Sequence, residues 1–208
     1  MISIIIPHRN HNHLLRRAIA SAMAQNTDKE IIVVDNHSDI IPLEIVEGLP
    51  VLFMVKDGTL MKVRNEGVRH SGGEYIIQLD ADDEMLPNVL EKMMEQFDEN
   101  TDILYGNMFQ NGVHLIPNKD IKLEDLLRNN QLFHGASIYR RKVWKELGGY
   151  WEASELVYDD WDFWGRAMKA GFKFKYADID VYNYNFYDDK LGGGEVHKEK
   201  IREHIKNA

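Results

Sequence analysis

The chain has 208 residues, 44% of them hydrophobic and 28% charged, with a formal net charge of −9. That length suits one domain with a sizeable core, and the profile excludes a disordered chain. The acidic balance argues against a nucleic-acid partner but leaves room for a local basic site for a diphosphate.

Cysteine is absent. Disulfides, thiolate zinc sites and a cysteine nucleophile are therefore excluded, and a reducing, cytoplasmic setting is expected. The opening Met1–Pro7 has no basic n-region. No stretch approaches the roughly 20 apolar residues of a transmembrane segment, so none is expected.

Ile2–Ile6 is a β-branched run, interrupted only by Ser3 and ended by Pro7, the pattern of a strand buried on both faces of a parallel sheet. Leu14, Leu15, Ala18, Ile19, Ala22 and Met23 form a helical stripe, with Asn10 or Asn12 as its expected cap. Glu30–Asp35 reads as a second buried strand ending in a carboxylate, and Val51–Val55 as a third. A helix is predicted over Leu60–His70, stopped by Ser71-Gly72-Gly73. Tyr75–Leu79 is a fourth strand. Val89, Leu90, Met93, Met94 and Phe97 line another helix, with Pro87 in its first turn, and Ile103–Tyr105 is a fifth strand. Alternating strands and helices imply an α/β fold: a mostly parallel sheet with helices on both faces and ligands beyond the carboxyl ends of its strands. No dinucleotide fingerprint or P-loop is present.

The fourth strand runs into Asp80-Ala81-Asp82-Asp83, with nothing basic within five residues on either side. Two readings stand. In extended backbone, residues i and i+2 share a side, so Asp80 and Asp82 could face one hard divalent ion such as Mg²⁺ or Mn²⁺. Alternatively, the stretch is an acidic turn capping the helix that follows.

The order of these pieces resembles glycosyltransferase family 2, of the GT-A fold. The similarity rests on Ile4-Ile5-Ile6-Pro7-His8-Arg9-Asn10, then Val33-Val34-Asp35, then Arg64-Asn65-Glu66-Gly67, then Gly73-Glu74-Tyr75-Ile76 leading into Leu79-Asp80-Ala81-Asp82-Asp83. The resemblance implies a nucleotide site built from Pro7, Arg9, Asp35, Arg64, Asp80 and Asp82. In it Asp35 bonds the base, commonly uracil, and Arg64 lies near base or ribose. Asp80 contacts the ribose or the metal, and Asp82 ligates the Mn²⁺ or Mg²⁺ that bridges the diphosphate. Arg9 stands where an aromatic residue is usual, and its guanidinium plane can also stack on a base.

In the second half, Gly112 marks a hairpin between Met108-Phe109 and His114–Ile116, and Leu123–Leu127 is a short helix. Phe133–Arg141 reads as a strand leading into a helix that ends at Gly148-Gly149-Tyr150. Tyr158-Asp159-Asp160-Trp161-Asp162-Phe163-Trp164-Gly165-Arg166 resembles the family's Glu-Asp-x-Asp element. By that resemblance Asp160 is the general base, and Asp159, Trp161 and His134 are acceptor-side candidates, Trp161 as half core and half wall. Val181–Tyr187 resembles the family's last strand, which often ends near a metal-binding His. Tyr187 stands there instead, and His197, beyond Gly192-Gly193-Gly194, is a replacement candidate. Glu195–Asn207 is a charged helix, read as a partner contact.

The resemblance thus implies one GT-A domain with a nucleotide-sugar half over 1–107 and an acceptor half over 108–208. Its expected activity is metal-dependent, inverting transfer of one sugar from a nucleotide-diphosphate donor, a UDP-sugar first, to the hydroxyl of a saccharide or other acceptor. The family's processive-synthase signature is absent. The alternative is a catalytically silent module that binds a sugar nucleotide or a partner.

Overall fold

The computed structural model describes residues 1–130, 132–152, 159–185 and 195–208. The elements are β1 (Ile2–His8), α1 (Asn12–Met23), β2 (Lys29–Asp35), α2 (Leu43–Val46), β3 (Leu52–Val55), α3 (Leu60–Arg69), β4 (Tyr75–Gln78), β5 (Glu84–Met85) and α4 (Val89–Gln96). They continue with β6 (Ile103–Gln110), β7 (Val113–Leu115), α5 (Leu123–Arg128), a 3-10 turn (His134–Ala136), β8 (Ser137–Arg140), α6 (Arg141–Glu146), α7 (Asp159–Lys169), β9 (Phe174–Tyr184) and α8 (Glu195–Asn207).

One sheet carries the molecule, in the order β3-β2-β1-β4-β8-β6-β9-β5, with β7 on β6. The first four strands are parallel. β8 then enters antiparallel to both β4 and β6, and β9 runs parallel to β6. β1 alternates between two cores. Ile2, Ile4 and Ile6 pack with Leu15 and Ile19 of α1, while Ile5 packs with Val63 and Val68 of α3. Each such buried side chain stabilises by about 1.5–3 kcal/mol, so a strand apolar on both faces is what a two-faced sheet requires, and its polar Ser3 and His8 are hydrogen-bonded to Glu30 and Asp35. Pro7 lies inside β1 rather than ending it. The last pairing of β1 with β4 is Ile5 with Gln78, so the ladder on that side has ended before the missing Pro7 N–H is needed.

Several local expectations are corrected. Neither Asn10 nor Asn12 caps α1. His11 occupies the cap without a side-chain bond, and Asn10, at φ 57°, instead bonds Asp39. The acidic stretch does not cap α4, because β5 intervenes and Asn88 is the cap residue. Pro87 therefore lies just ahead of α4. Its first amides, of Val89 and Leu90, donate to the buried Gln25 Oε1 at 3.0 and 3.3 Å, a cap supplied from the other end of α1. The fifth strand and the first arm of the hairpin are one strand, β6, and β9 begins at Phe174, well before Val181. The Asn111-Gly112 turn has positive φ at both residues, 48° and 81°, as a tight hairpin demands.

Candidate active site

Strand ends β1, β2 and β4 and the 3-10 turn bring the polar residues together. Arg-Asn-x-Gly on α3 separates into three tasks set by helical geometry. Gly67 faces the sheet, where an added Cβ would come within 2.5 Å of Ile5 Cγ2. Only glycine allows that approach. Arg64, on another face, is 3% exposed and reaches Asp80 Oδ1 at 3.0 Å. Asn65 is 1% exposed. It accepts from the Trp144 indole and the Tyr150 amide and donates to the Tyr150 carbonyl and Glu152. The sequence reading quoted Asn65 but gave it no role.

Asp80–Asp83 is a turn closed by the Asp83 amide on the Asp80 carbonyl at 3.0 Å. Asp80 and Asp82 therefore do not share a side as i and i+2 of extended backbone, contrary to expectation, and curvature rather than strand alternation sets their directions. The turn has no basic neighbour in sequence, yet among the described residues tertiary structure brings Arg64 and Arg17 to it. Arg64 reaches it from α3, and Arg17 of α1 donates to the Asp82 carbonyl and pairs with Glu84. Asn185, just past β9, braces it with a side-chain bond to the Asp82 carbonyl and an amide bond to the Asp83 carboxylate. Asp82 and Asp83 are buried, and Asp80 is partly exposed.

Tyr182, which sequence reasoning overlooked, is the floor of this region. Its ring lies against Gly135, where a Cβ would meet Cε2 at 2.8 Å. Burial pushes its phenol well above the ordinary value, and the charges of Asp83, Asp80 and Asp160 add to the shift. The charges of carboxylates from β4's end and from α7 thus both reach this buried phenol. The signal available in sequence was an aromatic at alternate positions, Tyr182 and Tyr184, on a strand expected to approach the site.

Asp160 is partly buried, in the first turn of α7. Asn130 donates to its Oδ2 at 2.8 Å and the Trp161 amide to its Oδ1 at 2.8 Å. Asp159 begins the same helix. Trp161 corrects the expectation of an acceptor wall: it is 1% exposed and its indole N–H donates to the Leu126 carbonyl. Its place is the core between α5 and α7. Tyr187 lies outside the described residues. His197 lies on α8, its Nδ1 buried without a hydrogen-bond partner. Among the described residues no group of three or more His, Cys, Asp or Glu is arranged around a metal position.

Asp35 also departs from expectation. It is 0% exposed. His8 Nδ1 and Ser38 Oγ both lie on its Oδ1, at 2.7 and 2.6 Å, and the Ser38 amide lies on Oδ2. The carboxylate closes the ends of β1 and β2 rather than facing the crevice. Pro7 is buried beside it, and Arg9 is exposed.

His134 is partly buried, with Nε2 on the Tyr150 hydroxyl at 3.1 Å, which in turn meets the Tyr139 hydroxyl at 3.0 Å. Burial, and then the Arg64 charge, holds His134 well below its ordinary value, and burial lowers His8 despite Asp35. Both groups bind protons more readily unfolded than folded. Their stabilisation is therefore full above about pH 6.5 and is lost as pH falls from there, at up to about 1.4 kcal/mol per pH unit for each. Glu66 and Glu152, held low by bonds to Lys56, Asn65 and Arg69, lose theirs only below the ordinary carboxylate value. Urea melts between pH 7 and 5 should show falling stability, and His134→Gln should flatten that slope. An unchanged slope in the variant would refute the assignment.

A family model described as Glycosyl transferase family 2 matches residues 3–170. The chain belongs to glycosyltransferase family 2. An uncharacterized glycosyltransferase of Rickettsia felis is 29% identical over 196 residues, covering 82% of this family 2 chain but 32% of the relative. The chain thus spans about a third of that protein. Among solved structures, Staphylococcus aureus TarS 1–349 in complex with UDP superposes with a TM-score of 0.75 at 20% identity, covering 99% of this chain and 70% of that one. The mannosyltransferase PcManGT from Pyrobaculum calidifontis, in complex with GDP-Man and Mn²⁺, gives a TM-score of 0.68 at 17% identity, covering 90% and 57%. The fold is therefore GT-A. Among the described residues no helix is long and apolar enough to cross a membrane.

Proposed function

We propose that this chain is an inverting, metal-dependent glycosyltransferase that moves one sugar from a nucleotide-diphosphate donor to an acceptor hydroxyl. The observation that carries the reading is the acidic turn Asp80–Asp83 with buried Arg64 on Asp80, beside a first-turn Asp160 held by Asn130 and the Trp161 amide. In this reading Asp160 takes the proton of the acceptor hydroxyl as its oxygen attacks the anomeric carbon. The new C–O bond forms opposite the bond to the diphosphate, which leaves with the electron pair. Arg64 orients Asp80 and adds positive charge beside the leaving group. His134 lines the acceptor side as a neutral group. Asp35 shapes the base pocket through His8 and Ser38, leaving Arg9 to stack on the base.

The acidic turn suits a hard divalent ion in its donor chemistry. At most two carboxylates, Asp80 and Asp82, would hold Mn²⁺ or Mg²⁺, with diphosphate oxygens completing the shell. Once bound, the ion would neutralise charge developing on the leaving diphosphate. A UDP-sugar is the first donor to test, because TarS has been solved with UDP and with UDP-GlcNAc.

The test is a thermal-shift panel of nucleotide diphosphates and their sugars, with and without Mn²⁺. A ligand at about 100 times its Kd stabilises by about 2.7 kcal/mol, or roughly 5–10 °C for a chain of this size. The expected result is a Mn²⁺-dependent shift with one nucleotide that disappears in Asp82→Ala. A shift that survives Asp82→Ala would remove the metal assignment. Binding without transfer or donor hydrolysis would favour the silent module.

A further inference from the structure

Helix α8 carries polar and charged residues over most of its length, yet it is not a free surface helix. Ile201 and Ile205 are 0% exposed. An added Cβ on Gly165 of α7 would come within 2.3 Å of Ile205 Cδ1, so the Ile205 side chain lies directly on the backbone of α7. They run side by side in the same direction, since Trp161 meets Arg202, Asp162 meets His204 and Lys169 meets the Lys206 carbonyl.

Two contacts of α8 bear on Asp160. His204 Nδ1 lies 2.5 Å from Asp162 Oδ1, and the His204 ring stacks on Trp151 with centroids 3.6 Å apart and planes 13° apart. Asp162 is 1% exposed, and its other oxygen accepts from Arg166 Nε at 2.8 Å. Arg166 in turn donates to the Leu147 and Gly149 carbonyls. His204 therefore grips the chain on both sequence sides of Asp160. The second contact is from Arg202 to the Arg128 carbonyl at 3.0 Å. Arg128 ends α5 just ahead of Asn130, the residue that holds Asp160 Oδ2. Among the described residues, the supports of the Asp160 carboxylate from its own helix and from Asn130 are thus tied to α8.

We propose that α8 is a positioning element for the reaction, acting on Asp160 through His204–Asp162 and Arg202–Arg128. The inference rests on the reading of Asp160 as the base. His204 and Arg202 are positioning residues, and neither touches the reacting atoms.

The test compares His204→Ala, His204→Asn and Ile201→Val in the full chain. The tryptophan indole N–H signals in a ¹H–¹⁵N spectrum report position without any substrate. His204→Ala is expected to shift the Trp151 signal, which loses its stacked partner, and the signal of Trp161, the residue that follows Asp160 and whose amide donates to it. With the nucleotide sugar that stabilises the protein, kcat should fall at least about tenfold while the donor KM stays within about twofold, since a misplacement of about 1 Å can cost about 10²-fold. His204→Asn keeps an N–H donor for Asp162 and should recover kcat to within about threefold. Ile201→Val should lower the melting temperature and leave kcat unchanged.

An unmoved Trp161 signal in His204→Ala overturns the proposal, as does a loss of kcat no greater than that of Ile201→Val. Inactive Asp160→Asn beside fully active His204→Ala overturns this proposal alone. Transfer retained in Asp160→Asn overturns the base reading beneath it.

Discussion

Asp160→Asn is expected to lower transfer by about 10²–10⁴-fold, the usual contribution of a general base, while donor affinity stays within about threefold. The substitution keeps size and shape. The Trp161 amide retains an oxygen to donate to, and Asn130 faces an amide in place of Oδ2, so the fold should lose no more than about 1–2 kcal/mol. What disappears is the site that accepts the acceptor's proton. The decisive experiment is single-turnover transfer beside equilibrium donor binding, with the anomeric configuration of the wild-type product read in parallel. Transfer near the wild-type rate in Asp160→Asn would sink the base assignment. Retention of configuration would sink the single displacement.

The second large effect is on stability. Asn65→Ala removes an amide that joins α3 to Trp144, Tyr150 and Glu152 through four hydrogen bonds. At about 1 kcal/mol each, with buried partners left unsatisfied, the loss should be about 4 kcal/mol, or roughly 8–16 °C in melting temperature. Asn65→Asp should be at least as damaging. It keeps the acceptor for the Trp144 indole and the Tyr150 amide but sets a carboxylate against the Tyr150 carbonyl and Glu152. Urea unfolding measures both, and a loss below about 1 kcal/mol in Asn65→Ala would show that this bridge carries little of the stability. Because Tyr150 also bonds His134, the same variant should loosen the acceptor side.

The amino-acid sequence by itself determined the strand-and-helix alternation. β-branched runs such as Ile2–Ile6 and Ile31–Val34 can be satisfied only between two apolar layers, which is where they are found. It also marked the turns at Asn111-Gly112 and Gly148-Gly149, whose positive φ values suit these residues. Asp80–Asp83 stood out as a run of carboxylates after an apolar strand, and Asp160 through the resemblance to glycosyltransferase family 2.

Only the tertiary structure decided how these residues are used. Antiparallel β8 between β4 and β6 depends on pairings far apart in sequence, which no local period encodes. The acidic turn is countered by Arg64 and Arg17, respectively 16 residues before Asp80 and 65 before Asp82, so its isolation in sequence was only apparent. Asp35 ends its strand as expected, yet His8 and Ser38 close over it, because whether a strand-end carboxylate faces solvent is set by the neighbouring loop. Trp161 was misjudged for one reason. A period of 3.6 shows that a helix has an apolar side, but what covers that side is fixed by the packing of α5, α7 and α8 against one another.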